Sequence, residues 1–214
     1  MSKNFKVSFF CAEILKVVNY IGVAMKKLYL LFCIVFFICF TFNTTIAGGY
    51  EKITSNAKIS AAISALETVD RHDVIAILSG RNSTGKPIRV MFRNLAIYGC
   101  TQCEAFTAKT RGGDLVIYIN EEHKDAPVET LACLIAHESQ HHTFTNTRAE
   151  ELRAWVSETT TWNAFVRKNR SVGYLNHPLV KRENYISKLY VKQNGVDNIR
   201  QLIAKNPVYA NLEK

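Results

Sequence analysis

The sequence predicts an α+β fold, with one helix first, a group of strands next and a mainly helical second half. Apolar residues recur at helical spacing over 55–70, and strand-like patterns follow over 88–119. Helical patterns return beyond residue 145. Strands and helices that are grouped in this way are typical of α+β proteins rather than of alternating α/β proteins.

The first helix is predicted over 55–70 because its apolar side chains recur at spacings of three and four and so share one face. Residues 81–87 are rich in turn-forming residues. In 88–93 the apolar residues alternate with other side chains, as in a strand with one buried face. The residues that set these patterns are Ile59, Ile63, Leu66 and Val69 in the helix, and Ile88, Val90 and Phe92 in the strand.

A hairpin and a buried helix are predicted next. Residues 111–114 include two glycines and join the segment 103–110 to the apolar strand 115–119. Asp125 and Pro127 are helix-start signals before the apolar run 128–135. Further helices are predicted over 147–165, 182–193 and 196–205, with Pro178 and Pro207 as interruptions.

The N-terminal segment has the three-part order of a secretory signal. Basic residues precede the apolar stretch 28–42, and polar and small residues follow it up to Ala47. This stretch suits a signal core but is shorter than the roughly 20 residues that comfortably span a bilayer. We therefore expect cleavage after Ala47 and no stable membrane insertion afterwards. A membrane anchor at 28–42 is the alternative.

This signal sets the expected domain boundaries. Residues 25–47 are the expected signal peptide, and 48–214 form a single exported domain, either periplasmic or secreted. Met25 is a second start codon position, and a basic stretch belongs at the true N-terminus of a signal. Translation is therefore expected to start at Met25 if residues 1–24 result from a mis-assigned start codon.

The net charge of +9 falls to +5 once the first 47 residues, with five lysines and one glutamate, are removed. The remaining basic residues are spread along the chain without a run of Lys or Arg. Such a distribution is typical of a soluble protein and not of a nucleic-acid-binding one. We expect no nucleic-acid partner, and the oligomeric state stays open.

Three cysteines remain after residue 47. The Cys-x-x-Cys spacing of Cys100 and Cys103 suits a disulfide in an oxidising compartment, a redox pair or two metal ligands. Cys133 is expected to be a small buried thiol, with an extra metal ligand as the alternative.

The residues that indicate chemistry are His137, Glu138 and His141, which form an HExxH pattern. Residues four apart share a helical face, so the two imidazoles can bind one Zn²⁺ from the same side. Glu138 then lies beside the ion and can take a proton from bound water. The preceding residues are apolar, and these three polar side chains would be costly there without a metal or hydrogen bonds. The pattern therefore predicts a zinc-dependent hydrolase of peptide bonds.

A catalytic zinc ion takes three protein ligands and keeps one position open. Thr147 and Glu150 match a capping box, in which the glutamate reaches back to the backbone of the threonine. Glu151 is turned by about 100° from Glu150 and is free to face the HExxH helix. We predict Glu151 as the third ligand, with Glu150 as the alternative.

With His137, Glu138 and His141 followed by Glu151 and Ala154, the sequence resembles the gluzincin branch of zinc metallopeptidases. The resemblance covers about 20 residues. It implies that the third ligand is a glutamate in an ExxA-like motif on a second helix. It also implies a zincin-like fold, in which a small mixed sheet packs on the HExxH helix. A peptide or protein substrate would bind along an edge strand, for which we expect the stretch 100–110.

One position departs from that family. Some of its members have Asp or Asn four residues after the ligand glutamate to orient a zinc-bound histidine, where this chain has Trp155. Glu158 lies two turns beyond Glu151 on the same face and is our candidate for that orienting role. The oxyanion-stabilising donor is not singled out. Its candidates are Tyr174, His177, Tyr185, Tyr190 and His142.

Two alternative interpretations describe a non-catalytic zinc-binding envelope protein. In one, Cys100 and Cys103 join His137 and His141 in a structural Cys₂His₂ site. The 33 residues between Cys103 and His137 far exceed the spacing in compact zinc fingers, and Glu138 would have no role. In the other, an inactive zincin-like domain binds a partner without cleaving it.

Overall fold

The structure is a computed structural model that describes residues 49–209 and 212. The expected signal peptide at 25–47, the alternative anchor at 28–42 and the start at 1–24 lie outside the described residues. Among the described residues, no helix combines the length and the apolar character needed to cross a membrane. The helices are α1 (Ala57–Glu67), α2 (His72–Leu78), α3 (Val128–Glu138), α4 (Arg148–Lys168), α5 (Pro178–Tyr190) and α6 (Gly195–Lys205). The strands are β1 (Arg89–Arg93), β2 (Ala105–Lys109) and β3 (Leu115–Asn120).

The three strands form one mixed sheet in the order β1-β3-β2. β1 runs parallel to the central strand β3, and β2 runs antiparallel to it. The predicted hairpin is present as β2 and β3, and the predicted strand at 88–93 is present as β1. The predicted α+β class is therefore confirmed, and β2 forms one edge of the sheet.

The main hydrophobic core lies between α1, α3 and the inner face of the sheet. Helix α3 is buried at every position from Thr130 to Glu138, as expected for a helix that is apolar on nearly all sides. It contacts α1, α4 and the strands β2 and β3. Full burial of a side chain such as Leu131 or Ile135 contributes about 1.5–3 kcal/mol. The HExxH segment is thus anchored by the core.

The helical second half differs from the prediction near Pro178. This proline begins α5 and does not interrupt a helix, because the first helical position needs no backbone N–H donor. The side chain of His177 caps the same helix through the backbone N–H of Leu179. Helix α4 agrees with the predicted helix over 147–165, and α6 with that over 196–205. Helix α2 was not predicted.

Helices α4, α5 and α6 share a second, smaller core. Its buried members are Trp155, Ile186, Ile199 and Ile203. Trp155 comes from α4, the helix that also carries Glu150, Glu151 and Glu158. The second core therefore fixes α5 against the carboxylate-bearing face of α4.

Candidate metal centre

Three side chains converge where α3 meets α4. His137, His141 and Glu151 offer ligand atoms that all lie within 4.8 Å of one another, a group that could hold a metal ion. Nε2 of His137 lies 3.8 Å from Oε2 of Glu151, and Nε2 of His141 lies 3.6 Å from Oε1 of the same carboxylate. The structure therefore brings together the three residues that the sequence predicts as ligands.

The helix that carries the two histidines changes character between them. His137 lies in the last turn of α3, whereas His141 lies in the 3₁₀ helix Ser139–Thr143 that continues it. The prediction of one α-helix through both histidines is therefore wrong beyond Glu138. Phe144, at a φ of 54°, ends the segment in the left-handed conformation and turns the chain toward α4. The imidazole centroids are nevertheless 5.3 Å apart.

Each imidazole is held from behind by a carboxylate. Nδ1 of His137 lies 2.9 Å from Oε2 of Glu158, and Nδ1 of His141 lies 3.0 Å from Oε1 of Glu150. An ionised carboxylate only accepts hydrogen bonds, so each Nδ1 carries the proton and donates it. The lone pair of each Nε2 is then left for a metal ion. This orientation by a second carboxylate is typical of metal-bound histidines.

Glu150 supports His141 and the turn before α4. Its backbone N–H donates to Oγ1 of Thr147, which is the capping half of the predicted box. Its carboxylate also accepts from the backbone N–H of Thr145 at 2.8 Å. Burial alone would raise the pKa of Glu150, but the hydrogen bonds from Thr145 and His141 lower it below its usual value. Glu151, and not Glu150, belongs to the metal-binding group.

Glu158 lies where the sequence places the candidate for orienting a histidine, and it is fully buried. Arg182 of α5 contacts its carboxylate and also lies 2.7 Å from Oε1 of Glu183. Burial would raise the pKa of Glu158, but Arg182 and His137 hold it far below its ordinary value. Sequence reasoning missed Arg182. Its signal was an arginine on the apolar face of α5, three residues from Leu179 and four from Ile186, which are both buried.

The electrostatics of Glu151 favour a bound cation. Among the described residues, its Oε2 is a buried atom without a hydrogen-bond partner. Burial raises the pKa of Glu151, the two histidines lower it, Glu138 raises it again and a hydrogen bond from Tyr209 lowers it, with a net upward shift. A buried carboxylate without full hydrogen bonding is costly, and a cation at the two Nε2 atoms would offset that cost. The donor set therefore fits a metal ion.

Glu138 borders a cavity of about 430 Å³ beside the metal-binding group. The hydroxyl of Thr107, a residue of the edge strand β2, lies 2.9 Å from Oε2 of Glu138 and 2.8 Å from its backbone carbonyl oxygen, and shares its one proton between them. His137 also lines this cavity, and Tyr209 lies on its wall. A molecule in this cavity would therefore contact Glu138 and His137 together.

Tyr209 lies on the wall of this cavity and was not among the residues that the sequence indicated. Burial raises the pKa of its phenol, and the nearby Glu151 and Glu138 raise it further, so the hydroxyl stays protonated. None of the five candidates named from the sequence lies among the described residues that line this cavity. Tyr174 and Tyr185 are largely exposed, and His177 caps α5. The segment around Tyr209 carries no periodic pattern that could have indicated its position.

The cysteines contribute to the wall of the cavity and not to the metal-binding group. Cys100 and Cys103 are joined to each other in a disulfide, and both line the cavity. A disulfide provides no thiolate ligand, so this arrangement does not support the Cys₂His₂ interpretation. Cys133 is fully buried, and burial raises the pKa of its thiol well above the usual value.

Comparison with known proteins does not assign this chain to a family. The chain matches no protein-family model, no curated protein and no solved structure. The function must therefore be inferred from the side chains themselves. Three of these features bear on it most directly, namely the His/His/Glu group, the carboxylates behind both imidazoles and the glutamate beside the cavity.

Proposed function

We propose that this chain is an exported zinc metallopeptidase of the gluzincin type with a zincin-like fold. The observation that carries the proposal is the convergence of the Nε2 atoms of His137 and His141 on the carboxylate of Glu151. Two imidazoles and one carboxylate are a donor set that catalytic zinc uses, with a fourth position left for water or substrate. Glu138, next in sequence to His137, supplies the base that a hydrolase needs.

The catalytic work of the chain begins with Glu138. Zinc, when bound, supplies a Lewis acid that lowers the pKa of water toward about 7. Glu138 accepts a proton from the attacking water and passes it to the leaving amine. Thr107 holds Oε2 of this carboxylate, which leaves Oε1 for the proton.

Two further elements of the chain act on the substrate. The phenol of Tyr209 donates a hydrogen bond to the carbonyl oxygen as negative charge develops on it, in the role of an oxyanion donor. The free edge of β2 binds the extended peptide through main-chain hydrogen bonds. Because Thr107 belongs to β2 and contacts Glu138, the strand that binds the peptide also positions the base.

The metal content of the purified protein tests this function. We expect about one zinc per chain in the wild type, in Glu138→Gln and in the double variant Cys100→Ala/Cys103→Ala, and much less in Glu151→Ala. Glu122→Gln changes an exposed glutamate near the end of β3 and is the matched control. Peptide cleavage should be lost in Glu138→Gln.

Two results would overturn the peptidase proposal. Loss of zinc in the cysteine variant with retention in Glu151→Ala would indicate a structural Cys/His site. Full zinc content without cleavage of any peptide in a diverse library would indicate a zincin-like binding domain that does not cleave.

A further inference from the structure

A second carboxylate faces the cavity beside Glu138. Glu104 immediately precedes β2, and its backbone carbonyl accepts a hydrogen bond of 2.8 Å from the backbone N–H of Asn120 at the end of β3. Its side chain lines the cavity and is about two-fifths exposed. The position of this carboxylate is therefore set by the edge of the sheet, next to the strand that contacts the catalytic base.

His123 fixes the orientation of Glu104. Its Nε2–H donates to Oε2 of the carboxylate from a largely buried position. The hydrogen bond from His123 lowers the pKa of Glu104 and outweighs the effect of burial, and the charge of Arg182 lowers it further. Glu104 is thus held ionised in one orientation, with Oε1 left for another partner.

Arg182 does not bind Glu104. It lines the cavity, but its guanidinium is engaged by Glu158 and Glu183 and lies 5.1 Å from the ring of Trp155. Glu104 is therefore a carboxylate on the cavity wall whose side chain is held by His123 and not by the arginine.

We propose that Glu104 determines specificity by binding a cationic group on a substrate residue next to the scissile bond. This inference rests on the proposed peptidase function. The shared chemistry is an ammonium or guanidinium group, which comes either from a lysine or arginine side chain or from a free α-amino group. The apolar stem of a long cationic side chain would pack against Leu134 and Trp155, which also line the cavity.

Cleavage kinetics of the zinc-loaded protein test the proposal. Peptides of one sequence would carry lysine, norleucine or glutamate on either side of the scissile bond, each with a free or an acetylated N-terminus. We expect kcat/KM to be at least about tenfold higher for lysine than for norleucine, since one ion pair in a partly desolvated site contributes on the order of 1.4 kcal/mol. Glu104→Gln should bring this ratio close to one, whereas the control Glu122→Gln should preserve it.

A binding measurement separates recognition from cleavage. In zinc-loaded Glu138→Gln, fluorescence anisotropy should show tighter binding of the lysine peptide than of the norleucine peptide, and the added Glu104→Gln should remove the difference. If the lysine and norleucine peptides bind equally and acetylation of the N-terminus weakens both, the cationic group is the α-amino group. If the preference survives acetylation, the group is the side chain.

The failures of the two proposals are distinguishable. Equal kcat/KM for the lysine and norleucine peptides, unchanged by acetylation of the N-terminus, would overturn the role of Glu104 and leave the peptidase intact. A preference for the glutamate peptide would also overturn it, because Arg182 and not Glu104 would then bind the charged side chain of the substrate. If the zinc-loaded protein cleaves no peptide, the peptidase function fails and the role of Glu104 fails with it.

Discussion

The two histidines of the candidate metal centre are supported in different ways. His141 is held by Glu150, nine residues further on, through a local turn that ends at the start of α4. His137 is held by Glu158, which in turn contacts Arg182 of α5, 45 residues beyond the histidine. Both supporting carboxylates are buried, but the support of His141 is local, whereas that of His137 reaches across three helices. We therefore expect the two supports to contribute unequally to stability and to metal binding.

The largest expected effect follows removal of Arg182. Arg182→Met leaves Glu158 as a buried charge without its cationic partner, and such a loss costs about 3–5 kcal/mol. The free energy of unfolding, from urea denaturation of the metal-free protein, measures it. Arg200→Met is the matched control because Arg200 pairs with Asp197 on the exposed surface of α6, where ion pairs contribute about 0–1 kcal/mol. If both variants lose the same free energy of unfolding, the ion pair between Arg182 and Glu158 contributes no more than an exposed one.

The second effect compares the two carboxylates directly. Glu158→Gln and Glu150→Gln both keep an acceptor for the Nδ1 proton but remove the negative charge. Loss of such a supporting group lowers metal affinity by about 10–100-fold. We expect Glu158→Gln to lie near the upper end, since Glu158 also holds Arg182 of α5, and Glu150→Gln, whose carboxylate is bound by nearby turn residues, near the lower end. Competitive zinc titration against a chelator measures both affinities, and the reverse order would contradict the comparison.

The difference between local and long-range contacts also explains how much of the site could be predicted from the sequence. Local spacing was enough for His137, His141 and Glu151, because the helices that carry them are adjacent in sequence and the intervening turn is short. It also placed Glu158 on the correct face of α4. Arg182 could not be assigned, because its contact depends on how α5 packs on α4.

Two other site residues that the sequence did not predict also depend on tertiary packing. Thr107 and Tyr209 reach the site from β2 and from the segment after α6, so only the tertiary fold brings them near Glu138. The strands and helices themselves followed from apolar periodicity. The 3₁₀ segment through His141 did not, because periodicity does not distinguish a tightened last helical turn from a regular one.

The third prediction tests a contact made across the fold by β2. Thr107→Val removes the hydroxyl that donates to Oε2 of Glu138 but keeps a branched side chain of similar size. A hydrogen bond to a charged group contributes about 1.5–3 kcal/mol, so we expect kcat to fall by about tenfold or more with unchanged zinc content. Thr68→Val, at the exposed end of α1, is the control and should leave kcat unchanged. A loss of zinc together with kcat would instead assign Thr107 to the metal-binding support.

The smallest effect is a pH dependence that the support Glu158 and the proposed ligand Glu151 impose with opposite sign. Glu158 has a lowered pKa, so in the metal-free protein its stabilisation is present above the ordinary carboxyl pKa and is lost only in strong acid. Glu151 has a raised pKa, so its contribution is present below that ordinary pKa and is lost as the pH rises through the raised value. Bound zinc would offset the charge that Glu151 acquires, and it binds best once the histidines have lost their protons.

The difference in Tm between the zinc-loaded and the metal-free protein should therefore increase from pH 5 to pH 7. Each 1 kcal/mol of this linkage corresponds to about 2–4 °C in a protein of this size. Glu151→Gln removes the titrating group next to the two Nε2 atoms, so the Tm of that metal-free variant should decline less with rising pH than the Tm of the wild type. If the wild type and the variant decline equally, Glu151 is not the group that destabilises the metal-free protein at higher pH.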